Sequence, residues 1–327
     1  MENAADSLRD AILYFAEFEN CRRFMMELRW PEGVVKCPRC GAEKVTWLEK
    51  TRTWKCYAKH ERPTFTLKTG TIFEDSPVPL QKWLPAAWLV INCKNGISSY
   101  EIHRALGVTQ KTAWFMLHRV RLAMQNGDFA KFTGPVEADE TFVGGKLGNM
   151  NKKARIRKIM REGRLDGGGT RGKAIVMGLL DRSHGKARVK VLPHRRQGNV
   201  TGEVRKHVEH GSAVYTDQLQ SYRGLMDRYA HDVIDHTEGY VRGQVHTNGL
   251  ENFWSLFKRA LKGTYVSVEP FHLQAYADEQ CFRFNHRKLT DAERFALGMK
   301  QIVGRRLTYA ELTGKVEDQA ESRLWEI

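Results

Sequence analysis

Apolar positions recur at helical spacing over residues 7–30, and that run ends at Trp30-Pro31. Residues 31–75 follow another rule. They are rich in Cys, Gly, Lys and Thr, and alternation such as Trp54-Lys55-Cys56-Tyr57 predicts short strands. Helical spacing returns from Leu80 to Gln125, punctuated by Gly96 and Gly107. Beyond Pro135, the runs Val136 to Val143, Ala174 to Leu180 and Ala187 to Leu192 read as three strands. The last two are joined by the turn-forming stretch Asp181-Arg182-Ser183-His184-Gly185. A helix over Val200 to Val208, a short strand over Ala213 to Thr216 and a helix over Gln218 to Tyr229 come next, then helices over Asn248 to Leu261 and Phe271 to Phe284. Three strands followed by alternating helices and strands predict an α/β fold, a mixed sheet flanked by helices. The pattern divides the chain into an N-terminal helical segment (1–30), a Cys-rich module (31–75), a helical region (76–130), an α/β domain (131–290) and a C-terminal tail (291–327). A Gly-rich insertion, 145–173, interrupts the α/β domain and carries Lys152, Lys153, Arg155, Arg157, Lys158, Arg161 and Arg164.

Composition adds a partner class. Among 327 residues, 53 Lys and Arg stand against 38 Asp and Glu, a net charge of +15 that favours a polyanion, most commonly nucleic acid. The longest apolar run, around Trp83 to Cys93, is broken by Pro85, Asn92 and Cys93 and is too short to span a bilayer. The acidic, polar start lacks the layout of a secretory signal, so a cytoplasmic protein without membrane association is expected, nucleoid-associated when bound to DNA. In that compartment close cysteines point to metal rather than to disulfides.

Cys37-Pro-Arg-Cys40 and the later pair Cys56 and His60 supply four ligands in two knuckles, the requirement of a tetrahedral Zn²⁺ site. With all four positions taken by protein, such a metal stabilises and does not catalyse. Cys21, Cys93 and Cys281 stand alone in helical segments and read as core residues.

Ser98-Ser-Tyr-Glu101 has the form of a capping box, Gly107 closes that helix, and a second helix begins near Thr109. Gln110, Lys111 and Thr112 at its start occupy the place where a recognition helix meets base edges, with Arg104, His118, Arg119 and Arg121 as basic neighbours. A helix-turn-helix and an ordinary helical hairpin share this pattern; the basic neighbours favour the former.

Three acids, Glu137, Asp139 and Glu140, crowd a predicted strand, although acids are poor strand formers and repel one another. Asp217 follows a short strand and Glu251 begins a late helix. Each has a local explanation, Asp217 as a helix cap and Glu251 as the partner of a cap at Asn248. On the late helix Phe253, Leu256, Phe257 and Ala260 form one apolar stripe, while Glu251, Ser255, Lys258 and Lys262 project opposite. That face suits a metal ligand beside phosphate contacts, and equally a solvated surface.

Several blocks occur together and in order: Cys-Pro-Arg-Cys-Gly (37–41), Thr-Gly-Thr-Ile-Phe-Glu-Asp-Ser (69–76), Val-Glu-Ala-Asp-Glu-Thr-Phe-Val-Gly-Gly-Lys (136–146), Tyr-Thr-Asp (215–217), His-Thr-Asn-Gly-Leu-Glu-Asn-Phe-Trp-Ser-Leu-Phe-Lys-Arg (246–259) and Phe-Arg-Phe-Asn-His-Arg (282–287). Over roughly residues 20 to 290 the chain resembles the zinc-ribbon DDE transposases of bacterial insertion sequences, with an ISXO2-like transposase domain. That resemblance implies a ribonuclease H-like catalytic domain behind a zinc ribbon and a helix-turn-helix. It implies Asp139, Asp217 and Glu251 as the catalytic carboxylates, holding two Mg²⁺ ions, with Mn²⁺ an acceptable substitute. Lys258 resembles the basic residue such enzymes set near the DNA ends; Arg259, Lys262, Lys152, Lys153 and Arg155, with Gln110, Lys111 and Thr112, complete the expected DNA contacts. The partners implied are the double-stranded terminal inverted repeats and target DNA, bound by a homodimer or larger assembly. His60 departs from the usual second-knuckle cysteine. Two rival functions remain at this level: a domesticated DNA-binding regulator with an inert catalytic domain, and a metal-dependent nuclease that cuts without joining.

Overall fold

The computed structural model describes residues 6–125, 130–145, 149–162, 172–217, 220–234 and 246–315. The chain forms two compact units, residues 1–125 with 286–327, and residues 126–285.

In the first unit the N-terminal helical pattern resolves into α1 (Leu8–Ala16) and α2 (Phe18–Arg29), separated by an extended Glu17. Their buried faces, with Ala11, Phe15, Phe24 and Met25, pack against α3 (Leu80–Asn92). Phe15, Phe24 and Trp88 meet Phe295, whose ring is 5.5 Å from that of Phe24 and 5.0 Å from that of Trp88. Phe295 belongs to helix Asp291–Lys300, so the C-terminal stretch is part of this core. Three short antiparallel strands, β1 (Val45–Leu48), β2 (Thr53–Cys56) and β3 (Thr64–Phe65), make a small sheet in the order β1-β2-β3. Trp54 on β2 is buried between Trp47 and Phe65, which gives this small module an aromatic core. Helices α4 (Ser99–Leu106) and α5 (Gln110–Ala123) follow α3. The Ser98/Glu101 capping box forms, and Gly107 closes α4 in the left-handed region (φ 58°) that glycine adopts at least cost.

The second unit is built on a five-stranded mixed sheet, β4 (Val136–Val143), β5 (Ala174–Asp181), β6 (Lys186–Leu192), β7 (Ala213–Asp217) and β8 (Ala230–Ile234), in the order β6-β5-β4-β7-β8. β4, β5 and β6 form an antiparallel meander, and β7 and β8 run parallel to β4. Helix α6 (Lys152–Glu162) lies in the basic insertion, α7 (Gln197–His207) precedes β7, and α8 (Asn248–Arg259) and α9 (Leu273–Asn285) follow the sheet. Alternation along the strands feeds two cores. Val136, Ala138, Met177, Leu179 and Val214 pack with Val200 and Val204 of α7. Val176 and Leu180 pack on the other face with Leu250, Phe253, Trp254 and Phe257 of α8 and with α9. The edge of β6 is covered by side-chain amides of α9. Gln274 accepts from Val191 N–H (2.8 Å) and donates to Val189 O (3.2 Å), while Asn285 accepts from Ala187 N–H (2.7 Å) and donates to Ala187 O (2.9 Å). These contacts occupy part of the edge that a further strand would pair with.

Three elements differ from the pattern reading. Gln220–Leu225 is a 3₁₀ turn rather than part of a long helix, and Ala230–Ile234 is a strand. Gly224 explains part of this: a β-carbon there would lie 2.5 Å from Nε2 of Gln197, so the segment packs tightly on α7. The third is α6, whose exposed Ile156, Ile159 and Met160 keep helical spacing inside a stretch dominated by cations. Among the described residues no helix is long and apolar enough to cross a membrane.

Candidate functional site

The acid-rich strand β4 and the late helix α8 meet at two points. Glu137 is 1% exposed; its Oε2 accepts a hydrogen bond from the backbone N–H of Leu250 (2.8 Å), and its Oε1 takes one from Nε of Arg182 (2.7 Å). The Thr247 side chain makes no capping hydrogen bond to α8, and the carboxylate of Glu137 serves as an N-cap from across the fold. A negative charge also suits the positive end of the helix dipole. Gly249 permits the approach, since a β-carbon there would stand 2.9 Å from Glu137 Oε2. Arg182 closes the cluster: its Nη2 lies 2.7 Å from Nδ1 of His246 and also donates to the His246 carbonyl, and its guanidinium sits 4.6 Å from the ring centre of Tyr215.

One alternation further along β4, Asp139 Oδ2 accepts from the indole N–H of Trp254 (2.9 Å) and Oδ1 from the Glu140 N–H (2.8 Å). Residues 137 and 139 share a strand face, and residues 250 and 254 are one helical turn apart. Two strand residues span about 6.7 Å and four helical residues about 6 Å, so the two contacts are in register.

Of the acids singled out in the sequence, Asp139 is half-buried on β4 and Glu251 is exposed in the first turn of α8. Asp217 is the last position of β7. β4 and β7 pair in parallel through Glu137↔Tyr215 and Ala138↔Thr216, so Asp139 and Asp217 each directly follow the paired stretch on neighbouring strands. Asn248 is the first residue of α8, so Glu251 is not the partner of a cap there. The apolar stripe of α8 is buried as expected at Phe253, Phe257 and Ala260, with Leu256 only partly covered and with Leu250 and Trp254 added. Sequence pattern alone places Trp254 with the apolar side of α8, three residues after Glu251; its contact with Asp139 comes only from the docking of α8 on β4.

Lys258, Arg259 and Lys262 are exposed. Lys258 and Lys262 line a cavity of about 960 Å³ with Lys173 and Arg157, over apolar Phe142, Leu261 and Leu273. Lys152, Lys153 and Arg155 are exposed on α6. In the helical pair of the first unit Lys111 is exposed, its Nζ 5.0 Å from the Tyr309 ring centre, while Gln110 donates to Ser99 Oγ (2.9 Å) and Thr112 N–H to Thr109 Oγ1 (3.1 Å). His118, Arg119 and Arg121 are buried, which removes them from the basic surface the sequence suggested. Arg119 instead donates to the carbonyls of Glu74 (2.7 Å) and Leu307 (3.1 Å).

Cys37, Cys40, Cys56 and His60 converge, with all ligand atoms within 4.8 Å of one another. The Cys40 and Cys56 sulfurs are 3.6 Å apart, and Cys37 Sγ is 3.7 Å from His60 Nε2. A tetrahedron with Zn–S bonds of about 2.3 Å has edges of about 3.8 Å, so these atoms fit Zn²⁺, and the imidazole completes the set. Cys21 and Cys281 are buried and Cys93 is partly covered.

Comparison with known proteins gives two family matches. The ISXO2-like transposase domain matches residues 131–285, and the transposase zinc-ribbon domain matches residues 19–58. The second match stops short of His60, the ligand at which the chain departs from the usual pattern. A protein of Halobacterium salinarum, described as an uncharacterized protein in transposable element ISH50, is 30% identical over 253 residues, covering 76% of this chain and 84% of that protein.

Proposed function

Because the chain belongs to the ISXO2-like transposase family, with a DDE transposase domain behind a zinc ribbon, we propose that it binds the ends of its insertion sequence and catalyses strand cleavage and strand transfer. The observation that carries this reading is the meeting of β4, β7 and α8. Asp139, Asp217 and Glu251 come from two neighbouring strands and a helix docked on β4, as the family's ribonuclease H-like arrangement requires.

Carboxylate oxygens on a half-buried strand and an exposed helix turn are hard ligands suited to Mg²⁺, with Mn²⁺ as a substitute. When bound, a pair of such ions supplies activation of the attacking oxygen and stabilisation of the leaving one. The chain's own residues provide the frame. Asp139, Asp217 and Glu251 present the oxygens, the Glu137–Arg182 clamp fixes the start of α8, and Lys258 and Lys262 hold phosphates along the helix face that also bears Glu251. Lys173, Arg157 and the exposed cations of α6, with Arg259, extend that grip. Cleavage adds water across the phosphodiester at the element's end and frees a 3′-OH. That hydroxyl then attacks a target phosphodiester in line, forming the new P–O bond as the target's own 3′ oxygen leaves. The ribbon and the α4/α5 pair, a helix-turn-helix in this reading, hold the inverted repeats through Gln110, Lys111 and Thr112. Joining two ends calls for a dimer or larger assembly.

An incubation of the full chain with duplexes carrying the element's ends, plasmid target and Mg²⁺ tests the proposal. Joined products dependent on metal are the expected result. Cut ends without joining would favour a nuclease, and binding with neither reaction a DNA-binding regulator.

A further inference from the structure

Asp139 has a neighbour whose placement local packing alone does not require. Trp254 is 4% exposed, and its indole nitrogen, a donor with no acceptor capacity, points its N–H to Oδ2 of Asp139 at 2.9 Å. Directly across the sheet from Asp139, in the antiparallel register of β4 and β5, stands Gly178. A β-carbon on Gly178 would lie 2.7 Å from Cζ2 and 2.9 Å from Cη2 of that same ring, and 2.8 Å from Cδ2 of Leu250. Real β-carbons do not come so close, so any larger residue at 178 would push the ring off the sheet and pull the N–H from the carboxylate. The missing side chain on one strand and the hydrogen bond on the next therefore describe one slot. Leu250, which shares it, is the residue whose N–H is held by Glu137.

We propose that Trp254 is a positioning residue for Asp139 and that Gly178 is the clearance that admits it, an inference resting on the reading of Asp139 as a metal ligand. A carboxylate bonded at Oδ2 by a ring locked in the core, and at Oδ1 by the next backbone N–H, cannot swing about its last torsion. The donor's neutrality matters as much as its direction. Lysine or arginine in that slot would fix Asp139 equally well but would repel a divalent cation, whereas indole orients the group without neutralising it. Arg182, the guanidinium described beside β4, donates to Glu137. Outer contacts of this kind are worth ~10–100-fold in metal affinity.

Mn²⁺ binding to the full chain without DNA, read by electron paramagnetic resonance of the free ion, tests this apart from activity. Trp254→Phe keeps an aromatic ring and loses the donor. It should weaken Mn²⁺ binding about 10-fold while leaving the thermal midpoint near that of the parent, and in an Asp139→Asn background it should change nothing further. Asp139→Asn binding Mn²⁺ as the parent does would overturn the reading beneath the proposal. Asp139→Asn weakening the binding while Trp254→Phe does not would overturn the proposal alone, as would an equal loss from Trp254→Phe in both backgrounds. Should Trp254→Phe fold poorly, the parent sequence decides. The indole ¹H–¹⁵N resonance of Trp254 should move on Mg²⁺ addition and stay still in Asp139→Asn; a resonance unmoved in the parent overturns the proposal.

Discussion

At the residue scale, the crowd of acids on β4 separates by burial. Glu137 faces a helix start and an arginine, and Asp139 faces an indole, so two carboxylates of like charge on one strand face serve different ends. The Glu137–Arg182 pair is largely withdrawn from water, with side chains 1% and 15% exposed. Removing one partner of such a pair leaves an uncompensated buried charge and costs about 3–5 kcal/mol. Glu137→Ala and Arg182→Ala should each lose that much in urea unfolding, and the double variant should lose clearly less than their sum. Additive losses would mean that the two side chains act separately. A second residue sets a pH dependence. Burial pushes the Asp278 carboxyl up to about 6, against the pull of the Gln274 amide and Lys190. A carboxyl whose folded value lies above its unfolded value binds more protons when folded, so stability falls as pH rises between about 4 and 6. Asp278→Asn, which keeps an acceptor for Gln274, should flatten that fall and gain about 1–3 kcal/mol at pH 7. The urea midpoint at pH 4 and pH 7 reads this directly, and an unchanged slope would contradict it.

At the element scale, the strands Val136–Val143, Ala174–Asp181 and Lys186–Leu192 were legible because alternation and turn chemistry agree with burial on both faces of the sheet. The metal knuckles were legible because ligand spacing alone nearly dictates their meeting. Ala230–Ile234 was not legible, since five residues beside a glycine-containing turn become a strand only through their partner β7. The basic character assigned to α5 was misleading for a similar reason. His118, Arg119 and Arg121 look like surface cations in one dimension, yet carbonyls across the first unit take up Arg119. Nor could composition rank Glu137, Asp139 and Glu140; the family resemblance chose Asp139, and only the position of α8 shows what occupies Glu137. The three-stranded sheet of the ribbon is small, with its aromatic core at Trp54, Trp47 and Phe65, so its folding should depend on the ion. Cys56→Ser or a strong chelator should release Zn²⁺ and abolish the ribbon's protection from hydrogen exchange while leaving β4 and β5 protected. Retained protection in the ribbon would contradict a structural role for the metal.

At the scale of the whole molecule, the chain carries a net charge of +15, and part of its exposed share, Arg157 of α6 with Lys173, Lys258 and Lys262, lines one cavity beside α8, as a DNA partner would use. In the proposed mechanism Asp139, Asp217 and Glu251 bind the same divalent ions. Strand transfer by Asp139→Cys, Asp217→Cys and Glu251→Cys, each assayed in Mg²⁺ and in Mn²⁺, tests it most directly, because sulfur is a poor ligand for the harder ion and a better one for the softer. No joined product is expected from any of the three in Mg²⁺, and measurable joining in Mn²⁺. Equal activity in both metals, at any one position, would remove that residue from the metal site and overturn the shared-ion mechanism.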